Sequence, residues 1–321
     1  MVGIRPGHRV LQGLSLSMFT GGLPLSQGIM HTGAAAIPVG ADAGTKRVLD
    51  FIQLTAPHAL FTTPSFAQYL LEQCPKLIGK EASELGLKWL FPVGEPGAGN
   101  VEMRKLLSKG FGGAQICDQT GGGHSFQGAE CLEPPEVYTG MHFTSADHCI
   151  LELVDPKTKK NIEMEDGAIG EMVMTFLEWE GTPFQRYAYG DLLRVTTSQC
   201  SCGRKDLRFK IIGRADDMLI VKGVNVFPEA IKKEILKFAP KVTGFFRILL
   251  DKTGPSVTPP LKIKIEYGPG LDKKDVAALE EQLHKVFKET VRVTPQFIWV
   301  APDSIPRETK KTKLIEIAGN K

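Results

Sequence analysis

Short apolar runs alternate with amphipathic stretches over the first third of the chain. The pattern predicts strands at residues 34–39, 59–62 and 87–93 and helices at 45–54 and 65–73. Strands that alternate with helices imply right-handed crossovers and a mostly parallel sheet. We therefore expect an α/β arrangement over residues 1–115.

The pattern changes over residues 116–213. Strand-like runs at 149–154, 171–176 and 192–197 are separated by turn signals rather than by helices. This spacing predicts an antiparallel or barrel-like, β-rich part that completes a large domain, 1–213.

A smaller α+β unit follows a short segment at 214–217. Within 218–321 we expect strands near 218–221, 246–250, 261–267 and 296–300, and helices near 228–238 and 272–290. The fold class is therefore α/β, with a large domain and a small C-terminal lid.

Composition excludes several classes of protein. The 321 residues are 42% hydrophobic and 23% charged, as in soluble globular proteins, and a net charge of +3 argues against nucleic acid or membrane as a partner. No apolar run approaches the roughly 20 residues of a membrane span, and the first residues lack a signal-peptide pattern. We expect a cytoplasmic protein whose six cysteines are reduced.

Four residues make a candidate metal site, namely Cys131, His142, Cys200 and Cys202. Two thiolates one residue apart chelate readily, and three cysteines with one histidine suit tetrahedral, structural Zn²⁺. Four unrelated reduced side chains are the alternative, and His124, His148 or Cys149 could compete as ligands.

Two motifs carry most of the functional information. Residues 186–191 read RYAYGD, and residues 212–228 read IGRADDMLIVKGVNVFP. Together they resemble the nucleotide-binding and hinge region of adenylate-forming enzymes, most closely the phenylacetate–CoA ligase family. The resemblance runs over nearly the whole chain.

The resemblance implies a role for individual residues. Asp191 would bind the ribose, Arg214 the ribose or phosphate oxygens, and Thr120 the α-phosphate, while Gly94, Glu95 and Pro96 would lie along the adenine. A carboxylate suits a ribose because it accepts hydrogen bonds from both hydroxyls.

Further matches concern the acid, CoA and domain motion. Phe19, Gly21 and Gly22 fall near the family's acyl pocket, and Gly223 would let the pantetheine arm pass close to the backbone. Asp216 would be the hinge. Lys311, in the run PRETKK, would be the catalytic lysine that bridges the carboxylate and the α-phosphate.

Two departures from the family pattern bear on activity. The Tyr-Gly-x-Ser/Thr-Glu motif aligns with residues 117–121, where Cys117 replaces the stacking tyrosine and Gly121 replaces the Mg²⁺-binding glutamate. The match also begins after the family's phosphate loop, so we expect a truncated large domain.

The sequence is compatible with three functions. The first is an AMP-forming aryl–CoA ligase that uses ATP, Mg²⁺, CoA and a small aromatic carboxylic acid. The second is a half-enzyme that needs a separate N-terminal chain. The third is a non-catalytic relative that binds a nucleotide, an acyl-CoA or a partner. An exposed truncated edge would also favour self-association.

Overall fold

The computed structural model describes residues 2–17, 20–122, 125–134, 136–307 and 313–318. These residues form two compact units, one over the described residues up to 212 and one over residues 213–307 and 313–318.

The first half of the first unit is a parallel sheet with helical crossovers. In chain order its elements are β1 (Arg9–Gln12), α1 (Leu23–His31), β2 (Ala35–Pro38), α2 (Thr45–Thr55), β3 (Ala59–Thr62), α3 (Pro64–Ile78), β4 (Trp89–Pro92), α4 (Val101–Gly110) and β5 (Gln115–Ile116). Within the described residues the strand order is β2-β1-β3-β4-β5, and each recorded pair is parallel.

Local sequence explains where the central elements begin and end. Every residue of β3 is buried, as expected for a strand covered on both faces. Helix α3 begins where the Thr63 side chain accepts a hydrogen bond from the N–H of Phe66 at 3.1 Å, with Pro64 in its first turn. It ends at Gly79, whose φ of 66° is left-handed.

The second half of the first unit is an antiparallel sheet. Its strands are β6 (Gln119–Gly122), β7 (Ser125–Ala129), β8 (Met141–Phe143), β9 (Cys149–Val154), β10 (Asn161–Ile162), β11 (Ile169–Phe176), β12 (Tyr187–Thr196) and β13 (Arg208–Arg214). For the part of the chain described, their order is β10-β9-β11-β12-β13-β8-β7-β6. Buried apolar side chains from β9, β11, β12 and β13 share one core on this sheet.

The second unit has two small sheets and two helices in its described residues. Its elements are β14 (Leu219–Val221), β15 (Val224–Val226), α5 (Pro228–Leu236), β16 (Val242–Leu250), β17 (Ser256–Val257), β18 (Lys262–Tyr267), α6 (Lys273–Val286), β19 (Gln296–Val300) and β20 (Ile315–Ile317). The sheets have the orders β15-β14-β17 and β19-β18-β16-β20. One core joins both sheets to α5 and α6.

The predicted fold class is confirmed: a parallel α/β part, a β-rich part and a C-terminal α+β unit follow one another. Some boundaries differ. Helix α3 runs five residues past the predicted end at residue 73 and includes Pro75, and the helix expected to end at 290 stops at Val286 before one π turn, Phe287–Val291. The hinge at 214–217 stays a prediction.

Candidate functional site

The predicted pocket segments of the first unit follow the carboxyl ends of three strands of the same parallel sheet, in which β3 lies between β1 and β4. Gly21 and Gly22 come after β1, residues 94–96 come after β4, and Thr120 comes after β5. Carboxyl ends of parallel strands meet at one edge of the sheet, which is where open α/β sheets bind ligands. The fold therefore brings these segments to a common edge.

Gln12 fixes the glycine segment after β1. This side chain is fully buried, and its amide donates to the carbonyl oxygens of Gly21 and Gly22, the latter at 2.7 Å. Its own carbonyl oxygen accepts from Ser26 Oγ at 2.5 Å. A Cβ at Gly22 would lie 1.9 Å from the carbonyl oxygen of Ser17, so no larger residue fits there. Phe19, the third predicted pocket residue, lies outside the described residues.

Glu95 has a structural contact in addition to its predicted role along the adenine. Its Oε1 accepts a hydrogen bond from the N–H of Ser65 at 2.7 Å, in the first turn of α3. A carboxylate at that end of a helix is stabilised by the helix dipole. Gly94, at φ 92°, makes the turn that brings Glu95 to α3.

The degenerate motif at 117–121 lies in a buried polar setting. The Cys117 thiol is fully buried and donates to the carbonyl oxygen of Glu130 at 3.1 Å. Burial, together with the carboxyl groups of Glu130 and Asp118, raises its pKa well above the ordinary thiol value. A side chain turned into the interior cannot stack on a nucleotide base, whereas Thr120 is only partly buried.

Asp191 lies on a bulge of β12. Glu171 pairs with Leu192 and Val173 with Ala188, so residues 189–191 oppose the single residue Met172. Such bulges re-aim side chains and are common next to active sites. The left-handed φ of 81° at Gly190 makes this turn of the backbone possible.

The aromatic ring of Tyr189 connects the bulge of β12 to the segment that follows the degenerate motif. A Cβ on Gly122 would lie 2.7 Å from Cε1 of Tyr189, so the ring packs directly on the backbone at the end of β6. Tyr189 is two residues before Asp191, and Gly122 is two residues after Thr120. The fold thus joins the segment that carries Asp191 to the segment that carries Thr120.

In the second unit Arg214 and Asp216 form a bidentate pair. Nε and one terminal nitrogen of Arg214 each donate to a different carboxylate oxygen of Asp216, both at 2.8 Å. The guanidinium hydrogen bonds hold the pKa of Asp216 below its usual value. The guanidinium of Arg214, which is predicted to face a nucleotide, therefore also fixes the side chain of Asp216, the predicted hinge residue.

Gly223 occupies a tight turn. Lys222 and Gly223 connect β14 to β15 and have φ values of 49° and 80°. A two-residue hairpin loop with both φ values positive is a type I′ turn, which favours glycine. Nothing lies within 4 Å of a Cβ placed on Gly223, so the space above it is open. Lys311 lies outside the described residues.

The four predicted metal ligands come together. Their ligand atoms lie within 4.8 Å of one another. Sγ of Cys131 is 3.7 Å from Sγ of Cys200, and Sγ of Cys202 is 3.5 Å from Nε2 of His142. Around Zn²⁺, with Zn–S about 2.3 Å and Zn–N about 2.0–2.1 Å, tetrahedral corners lie about 3.8 Å apart for two sulfurs and about 3.5 Å apart for sulfur and nitrogen.

The pKa values of the cluster shift in both directions: those of His142 and Cys200 shift toward the forms that metals bind, and that of Cys131 shifts away from the thiolate. Burial, followed by the charge of Arg208, lowers the pKa of His142, which favours the neutral imidazole that metals bind. Burial and the neighbouring thiols raise the pKa of Cys131. Burial also acts to raise the pKa of Cys200, but hydrogen bonds from Cys202 and Cys131 bring it below the ordinary value.

The competing ligands have other partners. His148 Nδ1 lies 3.0 Å from a Glu178 oxygen, and the Cys149 thiol donates to the carbonyl oxygen of Ser145 at 3.3 Å. His124 lies outside the described residues.

Sequence reasoning missed the groups around the cluster. Glu133 Oε1 accepts from Ser201 Oγ at 2.7 Å, and an Asp206 oxygen lies 3.8 Å from His142 Nδ1. Glu133 is close in sequence to Cys131 and Asp206 to Cys202, and this closeness could have pointed to both residues.

Sequence comparison identifies the family. The chain is 32% identical over 324 residues to a phenylacetate–coenzyme A ligase of Thermus thermophilus, covering 95% of this chain and 70% of that protein. The chain belongs to the phenylacetate–CoA ligase family. A second member, from Escherichia coli, is 28% identical over 96% of this chain and 69% of its own length. The family described as AMP-binding enzyme C-terminal domain matches residues 223–316.

Solved structures agree with this assignment. A 2-hydroxyisobutyryl-CoA ligase in the postadenylation state, with bound 2-HIB-AMP, has a TM-score of 0.87 and 26% identity, covering 98% of this chain. The phenylacetate–CoA ligase-like chain spans 66% of that protein, just under two thirds of its length. An anthranilate CoA ligase in complex with anthranoyl-AMP has a TM-score of 0.65 at 18% identity, which supports the fold alone.

None of the helices in the described part of this family member is long and apolar enough to cross a bilayer.

Proposed function

We propose that this chain takes part in AMP-forming acid–CoA ligation. A carboxylate would attack the α-phosphate of ATP and release pyrophosphate, and the thiol of CoA would then displace AMP from the acyl adenylate. The observation that carries the proposal is the packing of Tyr189 on Gly122, since it joins the Asp191 bulge to the segment of Thr120. Relatives named phenylacetate–coenzyme A ligase support the same reaction.

The residues would divide the work as follows. Asp191 would accept hydrogen bonds from the ribose hydroxyls, and Thr120 would donate to the α-phosphate. Residues 94–96 would border the adenine, and the buried Gln12 would hold the glycine segment at the acid pocket. Lys311 would stabilise the charge that develops on the phosphate oxygens. The acid would be a small aromatic carboxylate, as the names of the relatives suggest.

Mg²⁺ fits this residue set poorly. The motif position that supplies a carboxylate in the family is Gly121 here, and Mg²⁺ is usually held by one or two carboxylates with the phosphates.

A binding role without catalysis is a second candidate. It is favoured by Cys117, which is turned into the interior toward Glu130 and cannot stack on adenine. Such a protein, or a half-enzyme completed by another polypeptide, would bind the nucleotide but adenylate nothing alone.

Ligation and binding without catalysis can be separated by one assay. It measures acid-dependent ATP–pyrophosphate exchange by the 321-residue chain with a panel of aryl acids. Exchange that is lost in Asp191→Ala and kept in the exposed control Asp147→Asn would support ligation. No exchange in folded protein that binds AMP would support the binding role. AMP binding that is unchanged in Asp191→Ala would contradict the nucleotide assignment of Asp191.

We also propose that Cys131, His142, Cys200 and Cys202 hold a structural zinc ion. The sulfur and nitrogen separations suit a tetrahedral zinc site, and the four ligands leave no open position for chemistry. Bound zinc would fix the turn at 200–202 to the segment around Cys131.

Metal analysis of purified protein tests this proposal. We expect about one zinc per chain, reduced severalfold in Cys202→Ser and unchanged in Cys149→Ser, which keeps a hydroxyl donor for Ser145. Wild-type protein that refolds in zinc without binding any would contradict the site.

A further inference from the structure

Tyr138 lies between β7 and β8 and contacts two segments of the first unit, one with its hydroxyl and one with its ring. The hydroxyl donates a hydrogen bond to Oδ2 of the buried Asp118 at 2.6 Å. Nζ of Lys210, on β13, donates to the carbonyl oxygen of Tyr138 at 2.6 Å. Both the backbone and the hydroxyl of this residue are therefore held in place.

The ring of Tyr138 packs on the backbone of the loop between β4 and α4. A Cβ on Gly99 would lie 2.7 Å from Cε1 of the ring, so no side chain fits between them. The guanidinium carbon of Arg104 and Nζ of Lys210 lie 5.3 and 5.1 Å from the ring centre. Cations at these distances are attracted to an aromatic ring. Contacts from α4 and β13 thus fix the ring against Gly99.

Gly99 belongs to a loop that is fixed to the predicted adenine turn. The carbonyl oxygen of Ala98 accepts from Arg104 at 3.1 Å, and the N–H of Asn100 donates to the carbonyl oxygen of Gly97 at 2.9 Å. Residue 97 directly follows the turn at 94–96. A shift of the backbone at Gly99 would therefore also move that turn.

Asp118 belongs to the degenerate motif, two residues before Thr120. Its N–H donates to a carboxylate oxygen of Glu130 at 2.9 Å, and its carbonyl oxygen accepts from the N–H of Glu130 at 2.9 Å. Thr120 itself is paired with β7. The motif is therefore firmly held by the antiparallel sheet, and the loop at 97–100 is connected to it through Tyr138.

The hydrogen bond from Tyr138 depends on a departure from the family motif. That motif has glycine at the position of Asp118, and glycine has no side chain that could accept from a hydroxyl. Burial acts against an ionised carboxyl group here, so stability alone is a weak reason for the aspartate. The stacking tyrosine of the motif is replaced by Cys117, which faces the interior. The motif of this chain thus exchanges a ring for a carboxyl group that binds Tyr138.

We infer that Tyr138 and Asp118 are positioning residues, which hold the loop at 97–100, and with it the turn at 94–96, at a fixed distance from Thr120. We call the two side chains the Tyr138–Asp118 bridge. Its effect on activity rests on the proposed adenylation, in which the turn and Thr120 border the nucleotide. The bridge would act on nucleotide binding and not on bond formation, because contacts with the base are alike in the bound substrate and in the transition state.

Hydrogen exchange of the 321-residue chain tests the bridge without any nucleotide. In Tyr138→Phe, which keeps the ring and loses the hydroxyl, the amide of Asn100 should exchange at least fivefold faster. The amide of Glu130, which donates to the motif, should change less than twofold. Unchanged exchange at Asn100, or an equal rise at both amides, would overturn the inference.

Three further variants separate the hydrogen bond from other effects. Asp118→Asn keeps an acceptor for the hydroxyl and should exchange like the wild type, whereas Asp118→Ala should match Tyr138→Phe. Tyr69→Phe removes a hydroxyl from α3 in the same unit and is the matched control. Faster exchange in Asp118→Asn than in Asp118→Ala would contradict the bridge.

ATP kinetics supply the second readout. In pyrophosphate exchange, Tyr138→Phe should raise KM for ATP at least fivefold and change the maximal rate less than twofold, because the lost contacts concern binding alone. Tyr138→Phe/Asp118→Ala should be no worse than either single variant, since both remove the same contact. A fall in the maximal rate at unchanged KM would reduce the pair to a structural role and overturn the inference.

The bridge and the proposed function can fail separately. In a wild type that binds AMP without exchange, the dissociation constant for AMP should rise by the same factor in Tyr138→Phe, and an unchanged constant would overturn the inference. Faster exchange at Asn100 in Tyr138→Phe, with a wild type that binds no nucleotide, would support the bridge and reject the proposed function.

Discussion

Asp118 is a buried carboxyl group at the second position of the degenerate motif. It accepts a hydrogen bond from the Tyr138 hydroxyl at 2.6 Å, and Tyr138 in turn packs on the backbone of Gly99, close to the turn at 94–96. Burial raises the pKa of Asp118 to about 6, against the lowering effects of Tyr138 and Arg104. The folded protein therefore holds a proton here that the unfolded chain releases at lower pH.

The raised pKa of Asp118 makes the free energy of unfolding fall as pH rises. The folded pKa lies above the unfolded value of 3.8, so this group makes the protein less stable as pH rises through about 4 to 6, and the loss is complete above that range. At about 1.4 kcal/mol per pKa unit, the cost at pH 7 is as much as about 3 kcal/mol. We expect Asp118→Asn to raise the free energy of unfolding at pH 7 and to flatten its decline between pH 4 and 6.

Urea denaturation at a series of pH values measures this effect. Asn keeps an acceptor for Tyr138, so a loss of stability in Asp118→Asn at pH 7 would show that the ionised carboxylate is stabilising. Asp147→Asn, at an exposed position, should reproduce the wild-type profile.

At the scale of elements, the β14–β15 hairpin has a glycine at position 223, and two explanations of this glycine can be tested separately. The type I′ turn needs a left-handed residue at 223, whereas a pantetheine arm needs the absence of a Cβ. We expect Gly223→Ala to cost about 1 kcal/mol of stability and Gly223→Asn less, because asparagine tolerates positive φ. Thermal unfolding measures both variants.

CoA-dependent turnover then decides whether the open space above the turn has a function. If the pantetheine arm passes there, Gly223→Asn will keep its stability and its pyrophosphate exchange but lose thioester formation. Full activity in Gly223→Asn would leave the turn as the sole reason for glycine.

Elements with a strong local signal could be predicted from the sequence, and those decided by tertiary contacts could not. The strands at Ala59–Thr62, Cys149–Val154 and Gln296–Val300 have the predicted bounds, since each is a short apolar or alternating run. Strand β1 and helix α1 were missed. Their segment is rich in glycine, serine and leucine, and the buried Gln12 amide organises it.

The candidate site divides in the same way. Ligand type and spacing identified the four residues that the fold brings together in one cluster, because both are visible in the sequence, whereas the role of Asp191 stays a prediction. The bulge that turns Asp191 and the Tyr189–Gly122 contact depend on residues far apart in sequence, and nothing local marks them.

At the scale of the molecule, one buried ion pair joins the two sheets of the first unit. Arg104 on α4 contacts both carboxylate oxygens of Glu130 at 2.8 and 2.9 Å, and both side chains are fully buried. Arg104 also donates to the carbonyl oxygen of Ile116, while Glu130 accepts from the N–H of Asp118 at 2.9 Å. The parallel and antiparallel sheets should therefore unfold together.

Tryptophan fluorescence can follow that coupling, because Trp89 lies on β4 and Trp179 packs against Phe176 of β11. In a Trp299→Phe background these two side chains are the remaining tryptophans of the chain. Burial raises the pKa of Glu130 to about 8, and Arg104 acts against this shift. Arg104→Met leaves the buried Glu130 carboxyl group without its guanidinium partner and should cost about 3–5 kcal/mol, whereas Arg104→Met/Glu130→Gln keeps an acceptor for the N–H of Asp118 and should recover much of that loss. Variants that keep either Trp89 or Trp179 as the single tryptophan, with the Arg104–Glu130 pair intact, should unfold at the same urea concentration. Separate midpoints at 89 and 179 would mean that the sheets unfold independently and that the pair fixes local geometry alone.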